Sequence, residues 1–381
     1  MWTIVAAAIV GSFILSILMC LVVRGVTRRI GFVDRPGGHK EHAAPVALGG
    51  GVAIFLTVLA PVLCGTLLAR WALAAGTPAW VPAYLHPHLP GIAEKLPLLA
   101  AILAGALVLH VVGLIDDVRP LGPWSKLAVE IVVAAVLAWG FGVRAGEALG
   151  PPAAVVLTVG WIVLIVNAFN FLDNMDGLSA GVAAIAAAIF AGTAMMTGQI
   201  FVPTLAWVLV GGLLGFLVFN FAPASMFMGD AGSMVIGYFL AVLTVLTTYY
   251  DPGQHGQPVG VFVPVIVLAV PLYDVISVVI HRLKAGESPF RGDRRHFSHR
   301  LFNRGMSTRY AVLTIYLATA ATGLPAMLLP HATWFSAILI FAQTVCVVLI
   351  IAILEHVPTK HRAPGEPPST VGTAHQAEDP G

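Results

Sequence analysis

Five aspartates of this 381-residue chain, Asp116, Asp117, Asp173, Asp176 and Asp230, each stand at the end of an apolar run. A carboxylate beside hydrocarbon is costly, so acids kept there mark a place for ions, protons or a charged substrate. The first two close a run as Gly113-Leu114-Ile115-Asp116-Asp117-Val118-Arg119. Adjacent side chains on a helix point about 100° apart, and neighbouring carboxylates repel unless a cation or metal compensates. They read as a base or metal-binding pair, or as a solvated helix end partnered by Arg119.

Asn167, Asn170, Asp173 and Asp176 recur every three residues, which on a helix makes a stripe drifting by about 60° per step. Oxygen ligands of this kind suit a hard cation such as magnesium. Capping of the helix beginning near Leu178 would explain one of the four. Asn220 to Ser233 forms the third cluster. Within it Asp230 reads as a functional acid or an N-cap, and Gly229-Asp230-Ala231-Gly232-Ser233 would present backbone N–H groups to phosphate. Phe227 could stack on a base or plug the interface.

The connection 281–309 carries eight Lys and Arg around Asp293-Arg294-Arg295-His296-Phe297-Ser298-His299-Arg300-Leu301. Attraction to anionic lipid explains the arginines but not two histidines spaced by three. A diphosphate clamp fits better, because arginine offers bidentate contacts to phosphate oxygens. A zinc site would lack further ligands, since no HExxH or CxxC is present. Asp34 to Pro45, followed by Gly49-Gly50-Gly51, is basic and glycine-rich and by itself decides nothing. No GxxxxGK[ST] occurs, which excludes a P-loop ATPase.

The elements that must position these residues are membrane helices. Hydrophobic residues make up 58% and charged residues 10% of the chain, against roughly 25% charged in a soluble domain. The expected fold is all-α and polytopic, with about eleven spans near 2–23, 47–69, 97–115, 126–143, 152–170, 178–197, 203–220, 231–249, 259–280, 310–329 and 333–354. Residues 1–355 read as one transmembrane catalytic domain, with 356–381 as a disordered cytoplasmic tail. Loop 70–96, rich in proline, reads as an irregular extracytoplasmic segment. The first run lacks a preceding basic residue and is read as a retained helix, not a cleaved signal.

Of the 20 Lys and Arg, 17 fall in alternate connections and the tail, leaving Arg70, Lys95 and Arg144 opposite. The positive-inside rule then puts the N-terminus outside, the C-terminus in the cytoplasm and all five aspartates at the cytoplasmic face. Cys20, Cys64 and Cys346 form no disulfide framework and read as small core residues. Residues alone thus reach magnesium-dependent handling of a phosphorylated substrate.

Taken in order, the five clusters over residues 1–330 resemble the polyprenyl-phosphate N-acetylhexosamine-1-phosphate transferases. The resemblance implies transfer of a sugar-1-phosphate from a UDP-N-acetylhexosamine to undecaprenyl phosphate with release of UMP, magnesium dependence with Mn2+ as substitute, and a bacterial inner-membrane enzyme. Membrane lipids would surround it, nucleic acid would play no part, and a homodimer is compatible. Asp116 and Asp117 match the acidic pair proposed to activate the acceptor phosphate or assist the metal. Asn170 and Asp230 match positions associated with magnesium, and Asp173 and Asp176 match acids of the Asn-x-x-Asp-x-x-Asp segment. Asn220 and Phe227 match the uridine pocket, Lys126 a lysine following the acidic pair, and Lys40, His42 and Pro45 the first-loop pattern.

His296 and His299 keep the outer positions of the His-x-His-His segment of the GlcNAc branch, with Ser298 where a histidine is usual. Asp274 resembles an acid of that branch and could equally hold Arg282. The implied mechanism is in-line attack by the lipid phosphate on the β-phosphorus of UDP-GlcNAc, with Arg295, His296, His299 and Arg300 holding the charged oxygens. Peptidoglycan translocase activity on UDP-MurNAc-pentapeptide is the alternative, disfavoured by Ser298. A polyprenyl-linked sugar transporter would instead place polar groups near mid-membrane.

Overall fold

Backbone amides inside hydrocarbon can be satisfied only within a helix or a closed barrel, and the apolar runs of this chain become helices. The structure, a computed structural model, describes residues 2–35, 45–78, 81, 86–87, 89–250, 257–288 and 296–356. In chain order the α-helices are α1 (Trp2–Ile30), α2 (Gly50–Ala75), α3 (Leu89–Glu94), α4 (Leu96–Val118), α5 (Pro123–Ala135), α6 (Pro151–Leu172) and α7 (Leu178–Met196). They continue as α8 (Phe201–Asn220), α9 (Asp230–Leu246), α10 (Val263–Val267), α11 (Ala269–Lys284), α12 (Phe297–Asn303), α13 (Thr308–Ala326) and α14 (Trp334–His356). Among the described residues, nine helices are long and apolar enough to cross a membrane. With the bent α10–α11 pair and the shorter α9, every apolar run read from the sequence has a helical counterpart.

Burial sorts these helices. From Ala231 to Thr244 every residue of α9 is buried, as expected for a helix that is apolar all round and sits inside a bundle. It packs against α2, α4, α6 and α7. By contrast, α1 and α14 leave many large apolar side chains exposed, such as Leu18, Val22, Ile338 and Ile350. The α1–α8 contact uses small residues, with Ser16 Oγ donating to Gly212 O at 2.6 Å, the close approach typical of membrane helix pairs. Cys20 is buried, whereas Cys64 and Cys346 are exposed on the outer surface and so are not core residues.

Two departures matter for the site. The run at 259–280 is not one straight span: α10 and α11 meet at 62°. Pro271, three residues into α11, has no N–H to donate to Val267 O, which breaks the helical ladder there. The second helix starts later than its apolar run, because residues 46–47 form a short antiparallel ladder between β1 (Val33–Asp34) and β2 (Val46–Ala47). Ala47 O accepts from Phe227 N at 2.9 Å, and Phe227 O and Met228 O accept from Gly50 N and Gly51 N at 2.9 Å each. The first loop is thereby sewn to the Asn220–Asp230 connection. Lys40, His42, Arg295 and the tail from 357 lie outside the described residues.

Candidate active site at the head of the central helix

Lys126 joins the acids of two helices, Asp116 and Asp230, from a third. It stands in the first turn of α5, and its Nζ lies 3.0 Å from Asp116 Oδ2 at the end of α4 and 2.8 Å from Asp230 Oδ2 at the start of α9. The turn between α4 and α5 is held by Leu121 N donating to Asp116 Oδ1 at 2.5 Å, and Pro123 at the first helical turn of α5 suits a residue without an N–H. Asp116 therefore has Lys126 and a backbone amide as partners, not Arg119, which is exposed.

Asp117 does something different. Its Oδ1 accepts Asp230 N at 2.8 Å and its Oδ2 accepts Ala231 N at 3.3 Å. It caps α9 from a neighbouring helix, satisfying amides that a helix start leaves unpaired. This leaves Gly229, not Asp230, in the N-cap position, with no side-chain cap of its own. Close approach is required: a Cβ on Gly229 would lie 2.5 Å from Asp117 Oδ2, and one on Gly113 would lie 2.6 Å from Asp230 C. Gly232 N and Ser233 N donate to Gly229 O at 3.0 and 3.1 Å. The expectation of a phosphate cradle at this helix start is corrected, because all four amides are already engaged.

The stripe of four polar residues splits where α6 ends at Leu172. Asn170 Nδ2 donates to Ser233 Oγ at 3.0 Å, tying α6 to α9. Asn167 Nδ2 donates to Glu130 Oε2 at 2.5 Å and to Val163 O at 2.9 Å. Asp176 Oδ2 accepts Ala224 N at 2.9 Å and so holds the Asn220–Asp230 loop. Asp173, beyond the helix end, has no side-chain hydrogen bond or ion pair among the described residues. Burial, then the charges of Asp230, Asp117 and Asp176, push its carboxyl well above the usual carboxylate range. Such crowding of acids around one unpartnered carboxylate suits a cation. Among the described residues, no three His, Cys, Asp or Glu side chains close round a single point. Between Asp116 and Asp230 that place is held by the Lys126 ammonium.

Asn220 and Phe227 lie beside the cis Ala222–Pro223 bond. Asn220 is buried, accepts Gly177 N at 3.1 Å and donates to Met226 O at 3.0 Å. Its amide joins two loops at both ends. Phe227 is half-buried, with its backbone spent on the ladder to residues 47–50.

The basic segment docks on α11. Asp274, 2% exposed, accepts His296 Nδ1 at 2.9 Å and Phe297 N at 2.8 Å. Its carboxylate serves His296 and the start of α12. The buried imidazole meets Phe171 edge-on, with centroids 5.9 Å apart, and the Arg282 guanidinium lies 5.3 Å from the same ring. Ser298 Oγ donates to Asn174 Oδ1 at 2.5 Å, which brings α12 onto the Asp173–Asp176 turn. His299 is half-buried. Arg300 departs from the expected phosphate clamp: its Nη2 donates to Ser277 Oγ at 2.7 Å and pairs with Glu355 Oε1 at 3.2 Å.

Two residues were missed in the sequence. Glu130, one turn after Lys126 on α5, is buried under the site against Asn167. An acid four residues after a lysine in an apolar helix was the available signal. Glu355 gathers Tyr273 OH at 3.0 Å and Arg300, and its carbonyl accepts from Arg304. It is the one acid of the last span and closes an apolar run, which was the available signal.

A family model described as glycosyl transferase family 4 matches residues 99–248, a segment containing all five aspartates. The chain is 32% identical over 347 residues to the probable undecaprenyl-phosphate N-acetylglucosaminyl 1-phosphate transferase of Bacillus subtilis, covering 87% of this chain and 88% of that protein. It is 33% identical over 320 residues to the decaprenyl-phosphate N-acetylglucosaminephosphotransferase of Mycobacterium tuberculosis, covering 77% and 75%. With the undecaprenyl-phosphate alpha-N-acetylglucosaminyl 1-phosphate transferase of Escherichia coli it shares 25% identity over 329 residues, covering 83% and 81%. Those extents span the acid-bearing helix ends, the Lys126 bridge and the central helix together, and this multi-pass membrane chain belongs to the polyprenyl-phosphate N-acetylhexosamine-1-phosphate transferases of glycosyl transferase family 4.

Proposed function

We propose that this protein transfers N-acetylglucosamine-1-phosphate from UDP-GlcNAc to undecaprenyl phosphate and releases UMP. The observation that carries this reading is the Lys126 ammonium held between Asp116 and Asp230, with Asp173 and Asn170 beside them, at the half-buried start of a helix that is buried from Ala231 to Thr244. That place lies where a lipid headgroup and a soluble nucleotide sugar can meet. The distribution of 17 of the 20 Lys and Arg supports a cytoplasmic siting.

In the step, an oxygen of the lipid phosphate forms a bond to the β-phosphorus. The bond from that phosphorus to the oxygen bridging the α-phosphate breaks, and UMP leaves with that oxygen. A phosphate monoester is already largely ionised near pH 7, its second pKa being about 6, so the attack needs no proton taken by an aspartate. Both Asp117 oxygens are engaged by α9 amides, which supports an organising task for this residue. Lys126 neutralises charge at the reacting phosphates, and His296 and His299 hold phosphate oxygens.

The donor set fits magnesium: Asp173 and Asp230 would hold it, with Asn170 Oδ1 as a neutral oxygen ligand. When bound, the ion supplies charge neutralisation to the diphosphate and the departing UMP. The test is a UMP-release assay with purified protein, undecaprenyl phosphate and a panel of UDP-N-acetylhexosamine donors, with and without magnesium. Release with UDP-GlcNAc is expected. No release with any donor would return the chain to the transport reading.

A further inference from the structure

A buried carboxylate must find partners, and Asp274 finds two on neighbouring residues of one segment. Oδ2 meets His296 Nδ1 at 2.9 Å, and Oδ1 meets Phe297 N at 2.8 Å. We propose that Asp274 is the positioning residue for His296, fixing at once the ring's tautomer and the place of the helix that follows. Since Oδ2 can only accept, Nδ1 carries the proton. Nε2 is then the ring nitrogen left without a protein partner among the described residues, ready to meet a phosphate oxygen. A carboxylate behind an imidazole sets orientation and basicity in this way at metal and catalytic sites alike.

One further contact restricts the ring, and two more hold its surroundings. Phe171 packs edge-on against it at 5.9 Å. Phe171 itself lies under the Arg282 guanidinium and two residues before Asp173. Ser298, two residues on, is fastened to Asn174 of the same turn. The 62° bend between α10 and α11 turns the helix that carries Asp274, so the backbone break and the histidine position are linked. Asp274 therefore acts through His296 and touches no substrate itself.

This inference rests on the transferase reading, so wild-type UMP release is measured first; its absence would fail that reading. Kinetics are then compared for Asp274→Asn, His296→Gln and the double variant. Each single substitution is expected to lower kcat roughly 10–100-fold, with KM for UDP-GlcNAc changing less than kcat. In the His296→Gln background, Asp274→Asn should cost about twofold or less, because the partner it orients is gone. An equal loss in both backgrounds, or near-normal turnover of His296→Gln while the wild type is active, would overturn the proposal. Nitrogen-15 spectra of ring-labelled histidine in the wild type give a second readout that needs no variant at Asp274 to fold. The signal missing from His296→Gln should be that of an Nδ1–H tautomer, and an Nε2–H tautomer would overturn it.

Discussion

Asp117 accepts the backbone N–H of Asp230 at 2.8 Å, so one member of the acidic pair caps the helix whose first residue carries another acid of the site. Its neighbour Asp116 instead shares Lys126 with Asp230. Two adjacent aspartates thus do unlike jobs: one orients a helix, the other balances a cation. Their 100° separation on α4 is what lets one backbone turn serve both.

The capping role predicts a stability signature. Asp117→Ala should lower the melting temperature in detergent, losing about 0.5–2 kcal/mol as other N-cap deletions do, and should also depress UMP release because Asp230 is no longer fixed. Asp230→Asn should depress release with little change in melting temperature. Unchanged melting in Asp117→Ala would remove the capping role.

Lys126 stands where a second cation would otherwise settle between Asp116 and Asp230. Lys126→Met should abolish most turnover. The same variant should bind Mn2+ more tightly, by about tenfold or ~1.4 kcal/mol, when titrated by electron paramagnetic resonance without substrate. Weaker or unchanged Mn2+ binding would argue that the ammonium and the ion do not compete for these oxygens.

Asp173 supplies a pH test with a definite sign. Burial and three neighbouring acids hold its carboxyl well above the usual range in the folded chain. The folded state therefore binds this proton more tightly than the unfolded state. Stability falls as pH rises from the unfolded-chain value towards the folded one. In EDTA at pH 7, Asp173→Asn should melt a few degrees higher than the wild type, and the gap should narrow on acidification towards pH 5. Magnesium should stabilise the wild type more than the variant. Parallel melting curves across pH, with equal response to magnesium, would exclude this account.

Arg300 separates two tasks cleanly. In its pairing with Glu355 and Ser277 it fastens α12 to α11 and α14. Arg300→Ala should therefore cost stability, about 1–3 kcal/mol for a buried partner left unpaired, and leave KM for UDP-GlcNAc little changed. A raised KM with unaltered melting would restore the phosphate-clamp role.

Much of the arrangement was legible before any contact was known. Composition and run length name a helical membrane protein, and the acids at run ends name the face that carries the site. The split of the Asn167–Asp176 stripe was not legible, because a three-residue spacing cannot say where a helix stops. The role of Glu130 was equally hidden, since its partner Asn167 lies on another helix.

The sequence by itself determined which residues stand at membrane boundaries, since the cost of charge in hydrocarbon acts on each residue alone. It also set the expectation that the five acids and most of the Lys and Arg share one side, through the sum of Lys and Arg in the connections. Only the tertiary structure decided their division of labour. Whether Asp117 takes a proton or an amide, or Arg300 a phosphate or Glu355, depends on which helix ends meet. Those meetings arise from the close packing of Gly113 and Gly229 around the buried helix α9 and from the Pro271 bend, long-range choices that no spacing along the chain records.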